Sequence, residues 1–269
     1  MKRIVITILL LYLVGCITVP TPNERLNTAD QLTEAHGWQR QDIETSHFTL
    51  RTYLSSNINN QNNLTIYIEG DGLAWITPSR PSLDPTPIDP LALKLALNKS
   101  KGNAVYLARP CQYNKDENPQ CTNRYWTSAR FSPEVIDTTN QAIDQLKVMF
   151  SASKLTLVGY SGGAAVAALV AARRNDVQRL TTIAGNLDHK AWTDFHRISP
   201  LTESMNPADF WQQLQSIEQV HYVGARDTVI PEFVIQSYIK HFPTSSKQAI
   251  QVMPEYDHHC CWNELELVR

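Results

Sequence analysis

Serine, aspartate and histidine, the side-chain types that together can perform acyl transfer, occur in this 269-residue chain in that order, each in a distinctive local setting. The serine is Ser161, in Gly159-Tyr160-Ser161-Gly162-Gly163, a G-x-S-x-G pattern. A serine hydroxyl alone is a poor nucleophile; it needs a base to take its proton and an acid to orient that base. Asp227, in Gly224-Ala225-Arg226-Asp227-Thr228-Val229-Ile230-Pro231, is the first candidate acid. A solvated turn aspartate or helix cap is the plainer role for it, and Asp188, in Ala184-Gly185-Asn186-Leu187-Asp188, is the competing acid. The candidate bases stand side by side in Asp257-His258-His259-Cys260-Cys261. The other six histidines have no comparable context and are read as surface or capping residues. Adjacent histidines and cysteines point apart, and the spaced ligand pairs of zinc sites are missing, so no metal is expected.

The elements around Ser161 must hold it at a sharp turn. Leu155-Thr156-Leu157-Val158 is an apolar, β-branched run, and Gly162 to Ala172 is built almost wholly of small residues with no polar face for three turns. That pattern is a strand, an abrupt turn, and a helix buried against a sheet. Side chains at positions 159 and 163 would clash with the opposite arm of so tight a turn, which explains the glycines. The helix N-terminus beneath the serine favours the negative charge that develops in acyl transfer. An ordinary strand–helix turn with a serine cap is the alternative; a phosphate-binding loop is excluded, because no Gly-Lys-Ser/Thr follows.

Strand and helix patterns alternate along the rest of the chain. Strands are expected at His47 to Leu54, Leu64 to Glu69, Ala104 to Ala108, Leu180 to Ala184, Val220 to Val223 and Gln248 to Met253. Helices are expected at Leu91 to Asn98, at Pro133 to Phe150 with Ser132 as cap, at Ala208 to Leu214, at Pro231 to His241 and near Trp262 to Leu267. Pro78 to Pro90, with its five prolines, reads as an irregular loop. Such alternation implies a mostly parallel sheet covered by helices on both faces. Asp227 then falls just past the end of a strand, before a helix-starting proline.

The N-terminus has a different character. Lys2-Arg3 precede an apolar run from Ile4 to Val14, too short to span a bilayer, and Leu13-Val14-Gly15-Cys16 resembles a bacterial lipobox. Residues 1–15 are therefore read as a lipoprotein signal peptide and Cys16 as the lipidated residue. With Ile17 after it, the lipoprotein resemblance implies the outer membrane, facing the periplasm. Residues 16–35 (Val-Pro-Thr-Pro, then polar residues without periodicity) are read as a tether, and 36–269 as the folded domain. About twenty extended residues would reach roughly 65 Å. Signal removal takes away two positive charges and no acids from a formal net charge of −2, and nothing in that balance suggests nucleic acid. Four cysteines remain, an even number suited to an oxidising compartment. Three pairings are open; Cys111–Cys121, closing a polar loop, with Cys260–Cys261 as the second pair, is the favoured one.

Gly-Tyr-Ser-Gly-Gly, Gly-Ala-Arg-Asp-Thr-Val-Ile-Pro and a proline four residues before His258 together resemble the α/β-hydrolases, of the lipoprotein type found in Gram-negative bacteria. The resemblance runs from about Leu64 to the C-terminus. It implies cleavage of small carboxylic esters or thioesters through an acyl-enzyme on Ser161, without cofactor; an acyltransferase or peptidase with the same three residues, or a non-catalytic binding module, are the alternatives. The Pro-x-x-x-His spacing favours His258 over His259 as base. The oxyanion donors implied are the N–H groups of Gly162 and Asp71. The latter lies in Glu69-Gly70-Asp71-Gly72, which stands where related enzymes carry His-Gly, and its carboxylate is expected to turn away or to contact substrate. No large lid domain is expected; Trp75, the proline-rich loop and the Cys111 to Trp126 loop should roof the pocket.

Overall fold

The computed structural model describes residues 19–56, 58–59, 62–98, 102–265 and 267. The signal-peptide and Cys16 assignments lie outside the described residues. Seven helices are described: α1 (Pro22–Ala35), α2 (Leu91–Leu97), α3 (Pro133–Met149), α4 (Gly162–Ala171), α5 (His189–His196), α6 (Trp211–Leu214) and α7 (Glu232–Ile239). The strands are β1 (Trp38–Glu44), β2 (Thr49–Ser55), β3 (Asn63–Ile68), β4 (Trp75–Thr77), β5 (Arg80–Pro81), β6 (Asn103–Leu107), β7 (Lys154–Tyr160), β8 (Val177–Ile183), β9 (Glu218–Gly224) and β10 (Gln248–Met253).

Eight of the strands form one sheet in the order β1-β2-β6-β3-β7-β8-β9-β10, while β4 and β5 make a small hairpin of their own. The β1–β2 and β2–β6 pairs are antiparallel, and the six strands β6, β3, β7, β8, β9 and β10 run parallel to one another. This is the α/β-hydrolase arrangement, and no lid domain interrupts it among the described residues. Alternation along the strands builds two separate cores. Leu64, Ile66, Ile68, Leu155 and Leu157 face α3 and α4 on one side. Tyr53, Tyr67, Tyr106, Val158 and Tyr222 face α2 on the other. All ten residues of α4 are buried, which is why that segment has no polar face. Each large aliphatic side chain so buried contributes about 1.5–3 kcal/mol.

Several expectations need correction. The stretch read as a tether is helical from Pro22, with Thr21 and Glu24 forming a reciprocal capping box and Pro22 at its first position. α1 packs on the domain through Arg25, Ala29 and Thr33, and Asp30 Oδ1 accepts from Tyr53 Oη at 2.6 Å. Two of those three inward residues are polar, so a hydropathy pattern does not reveal the helix. β1 and α5 were also unanticipated. Ser132 occupies the N-cap of α3 but makes no capping bond through its side chain. The helix expected over Ala208 to Leu214 divides into a 3-10 turn, Pro207–Phe210, and α6, and the last helix is only a 3-10 turn at Trp262–Glu264. No described helix is long and apolar enough to cross a membrane.

Candidate active site

The residues singled out in the sequence lie at the carboxyl ends of the parallel strands, the edge where open α/β sheets hold ligands. Ser161 follows β7 directly and has φ 52° and ψ −119°, a strained conformation for a residue with a side chain. Such strain costs on the order of 1–3 kcal/mol and persists only where the surroundings enforce it. Here Ser161 N–H donates to Ile183 O at 2.9 Å, and Ser161 O accepts from Ala164 N at 3.1 Å and Asn186 N at 3.2 Å. A Cβ on Gly159 would lie 2.5 Å from Ala164 Cα, so that glycine lets the strand and helix arms meet as expected. Gly163 serves a different contact. Its Cβ would lie 2.3 Å from Glu69 O, on the turn after β3 rather than on the opposite arm of its own turn.

His258 and Asp227 come from the turns after β10 and β9. His258 Nε2 lies 3.0 Å from Ser161 Oγ, and His258 Nδ1 lies 2.8 Å from Asp227 Oδ2. All three residues are buried. Asp227 Oδ1 accepts from the N–H groups of Val229 and Ile230, each at 2.8 Å, so the carboxylate cannot swing away from the imidazole. An ionised carboxylate only accepts, so Nδ1 carries the ring proton and Nε2 is left to accept the serine proton. The histidine loop is pinned from behind. Tyr160 Oη donates to His258 O at 2.8 Å, and the indole of fully buried Trp262 donates to Asp257 O at 2.9 Å. Neither Tyr160 nor Trp262 was singled out by sequence.

The competing candidates are used elsewhere. Asp188 caps α5, accepting from Ala191 N at 3.3 Å, and also accepts from Ser237 Oγ at 2.6 Å and Asn206 Nδ2 at 3.1 Å. His259 is exposed, its ring nearly perpendicular to that of His258. Two other histidines are not surface residues as expected. His221 is fully buried in β9, where burial pulls its pKa down to about 3, and it pairs with Thr182 Oγ1 at 2.8 Å. His189 is buried at the start of α5 against Phe131, and burial likewise lowers it. Cys111 is bonded to Cys121 and Cys260 to Cys261, so none of the four is a free thiol.

Opposite Ser161, the Glu69–Gly72 turn follows β3. Its neighbours are the two loops expected to roof the pocket: Gly70 O accepts from Gln112 Nε2 at 2.9 Å, and Leu73 N donates to Pro85 O at 3.1 Å. Trp126 joins those loops by donating to Ser82 O at 3.2 Å. Gly162 opens α4, where an N–H has no intrahelical acceptor, and among the described residues the N–H of Asp71 has no acceptor either. Asp71's carboxylate is held by Arg109 and Arg130, two residues with no motif to mark them in the sequence. Glu69 is buried, and that burial pushes its carboxyl up to about 7 against the opposing hydrogen bond from Gly70 N–H at 2.8 Å. A polar depression lined by Asn140, Asp144, Arg174 and Asp176 lies at the far end of α4 from Ser161, where those charges pair with each other.

A hydroxyl, an imidazole and a carboxylate in this arrangement can form and hydrolyse an acyl intermediate. Residues 91–258 match the family model described as Serine hydrolase (FSH1), a span covering more than half of the chain and ending on His258. The chain belongs to the serine hydrolase (FSH1) family. No curated protein matches the sequence. Solved structures share the fold at low identity. An a/b serine hydrolase without lid from Xanthomonas campestris aligns with TM-score 0.53 and 13% identity, covering 82% of this chain and 85% of that one. The Pyrococcus furiosus esterase Pf2001 gives 0.55 and 11%, covering 84% and 85%. The Pyrococcus horikoshii acylaminoacyl peptidase gives 0.60 and 10%; the match covers 82% of this chain but spans only 37% of the peptidase.

Proposed function

We propose that this serine hydrolase cleaves small carboxylic esters or thioesters, with Ser161 as nucleophile, His258 as general base and Asp227 as the group that orients it and stabilises its protonated form. The observation that carries the reading is the unbroken chain Asp227 Oδ2–His258 Nδ1 (2.8 Å) and His258 Nε2–Ser161 Oγ (3.0 Å). Ser161 Oγ attacks the carbonyl carbon as His258 Nε2 takes its proton. The resulting oxyanion is met by the N–H groups of Gly162 and Asp71. The protonated imidazole then gives its proton to the departing alcohol or thiol, leaving an acyl-serine. Water, deprotonated by the same nitrogen, attacks that acyl group and releases the acid.

The same triad serves acyltransferases and peptidases, and the resemblance to a peptidase structure is one of fold. Ser161→Ala should abolish turnover of short p-nitrophenyl esters, a loss on the order of 10⁴-fold or more in kcat, while the protein stays folded. Near-normal turnover by a clean preparation of the variant contradicts the assignment. Product analysis with an added alcohol separates hydrolysis from transfer. The Leu13-Val14-Gly15-Cys16 sequence further supports lipid attachment at Cys16 and anchoring at the outer membrane, facing the periplasm. An unmodified N-terminus in mass spectra of the cell-derived protein would contradict that.

A further inference from the structure

An aspartate beside an oxyanion site is electrostatically unfavourable, yet Asp71 rests directly on the first residue of α4. A Cβ on Gly162 would lie 2.0 Å from Asp71 Oδ1, so only glycine fits beneath that carboxylate. Each carboxylate oxygen is taken by a different guanidinium. Oδ1 accepts from Arg109 Nη1 at 3.2 Å, and Oδ2 accepts from Arg130 Nη1 at 2.6 Å. The two arginine side chains are 5% and 6% exposed, against 18% for Asp71. They are fixed in turn: Arg109 Nη2 donates to Arg130 O, Arg130 Nε donates to Thr127 O at 2.8 Å, and Arg109 stacks 5.4 Å from the centre of the Phe131 ring. Burial opposes charge on Asp71, but attraction to Arg130 and then Arg109 outweighs it and holds the carboxyl below its usual range. The cluster is therefore two cations around one anion, with a net charge of +1.

We propose that Arg109 and Arg130 are positioning residues of the oxyanion site, acting through Asp71. They hold the Asp71 turn so that its N–H stays beside that of Gly162, and they reverse the local charge from negative to positive where the oxyanion forms. Preorganised charge at that point stabilises the transition state more than the bound ester, which carries no charge there. The proposal rests on Ser161 acting as the nucleophile, and its test keeps the two apart.

The test compares Arg130→Gln, Arg130→Lys and the double variant Asp71→Asn/Arg130→Gln. For each, kcat and KM are measured on a neutral short-chain ester, together with thermal unfolding and fluorophosphonate labelling. Arg130→Gln leaves the Asp71 charge half-masked, and kcat falls on the order of 10²-fold with KM little changed. Arg130→Lys keeps the charge and stays within about tenfold of wild type. Adding Asp71→Asn to Arg130→Gln removes the exposed anion and recovers part of the lost kcat, a gain that a merely structural ion pair would not give. A folded Arg130→Gln protein with wild-type kcat overturns the proposal. So does a double variant no better than the single one, or a folded Arg130→Lys as impaired as Arg130→Gln. If wild-type Ser161 takes no fluorophosphonate, the hydrolase reading fails and the proposal falls with it.

Discussion

Two kinds of loop meet over Ser161, and they are fixed by different means. The turns carrying Ser161 and Asp227 are held through backbone groups: glycine contacts and N–H bonds with Ala164, Ile183 and Asn186 at Ser161, and an Asx-type turn at Asp227. The Glu69–Gly72 turn is instead held by side chains distant in sequence, Arg109 lying 38 and Arg130 59 residues from Asp71. Even its two carboxyls are treated oppositely. The Asp71 carboxyl is held below its usual range by two cations, while that of Glu69, two residues earlier, is pushed up to about 7 by burial. Local fixation leaves a motif; remote fixation leaves none.

Breaking the locally held side should have the largest effect. Asp227→Asn still offers an oxygen to Val229 and Ile230 but no longer fixes the His258 tautomer. A loss on the order of 10⁴-fold in kcat is expected, with the unfolding midpoint nearly unchanged. Steady-state kinetics on one ester checks it.

The contrast between the two carboxyls is sharpened by pH. Glu69 has its folded-state pKa raised from 4.5 to about 7, so the stability tied to its neutral form is complete below 4.5 and lost as pH rises through 7. Glu69→Gln should flatten that fall, which is on the order of 3 kcal/mol across the window. Asp71 carries the opposite sign. Its lowered pKa gives stability present above the ordinary value of 3.8 and lost only as pH falls through the lower folded value. Urea unfolding of wild type and Glu69→Gln from pH 4 to pH 8 checks the first direction, and extending the wild-type series below pH 3.8 checks the second.

The effect of joining the two regions badly is smaller. In Gly163→Ala the new methyl would lie 2.3 Å from Glu69 O and 2.4 Å from Ile68 O, forcing the turn after β3 away from α4. A destabilisation of about 2 kcal/mol is expected, the clash outweighing the better helix propensity of alanine. Denaturant midpoints measure it.

The same division explains what could be read in advance. Ser161, Asp227 and His258 were legible because each sits at a strand end whose local pattern announces it, glycines in one case and prolines in the others. The parallel sheet was legible because buried strands are continuous apolar runs. α1 was not, because two of its three buried residues, Arg25 and Thr33, are polar, Arg25 pairing with Asp84 and Thr86 O, while Ala29 with the partly buried Leu26 and Leu32 is all it gives to an apolar core. Arg109 and Arg130 were illegible for a like reason: nothing near either residue in sequence shows that both reach one carboxylate. His221 and His189 looked like surface residues because a single histidine carries no burial signal of its own.

The most direct test of the account is fluorophosphonate labelling of the intact wild-type protein followed by peptide mass mapping. One adduct on Ser161, lost in Asp227→Asn and His258→Ala far more than in His259→Ala, is the predicted result. A folded protein whose Ser161 stays unmodified, or one labelled equally after loss of His258, would contradict it.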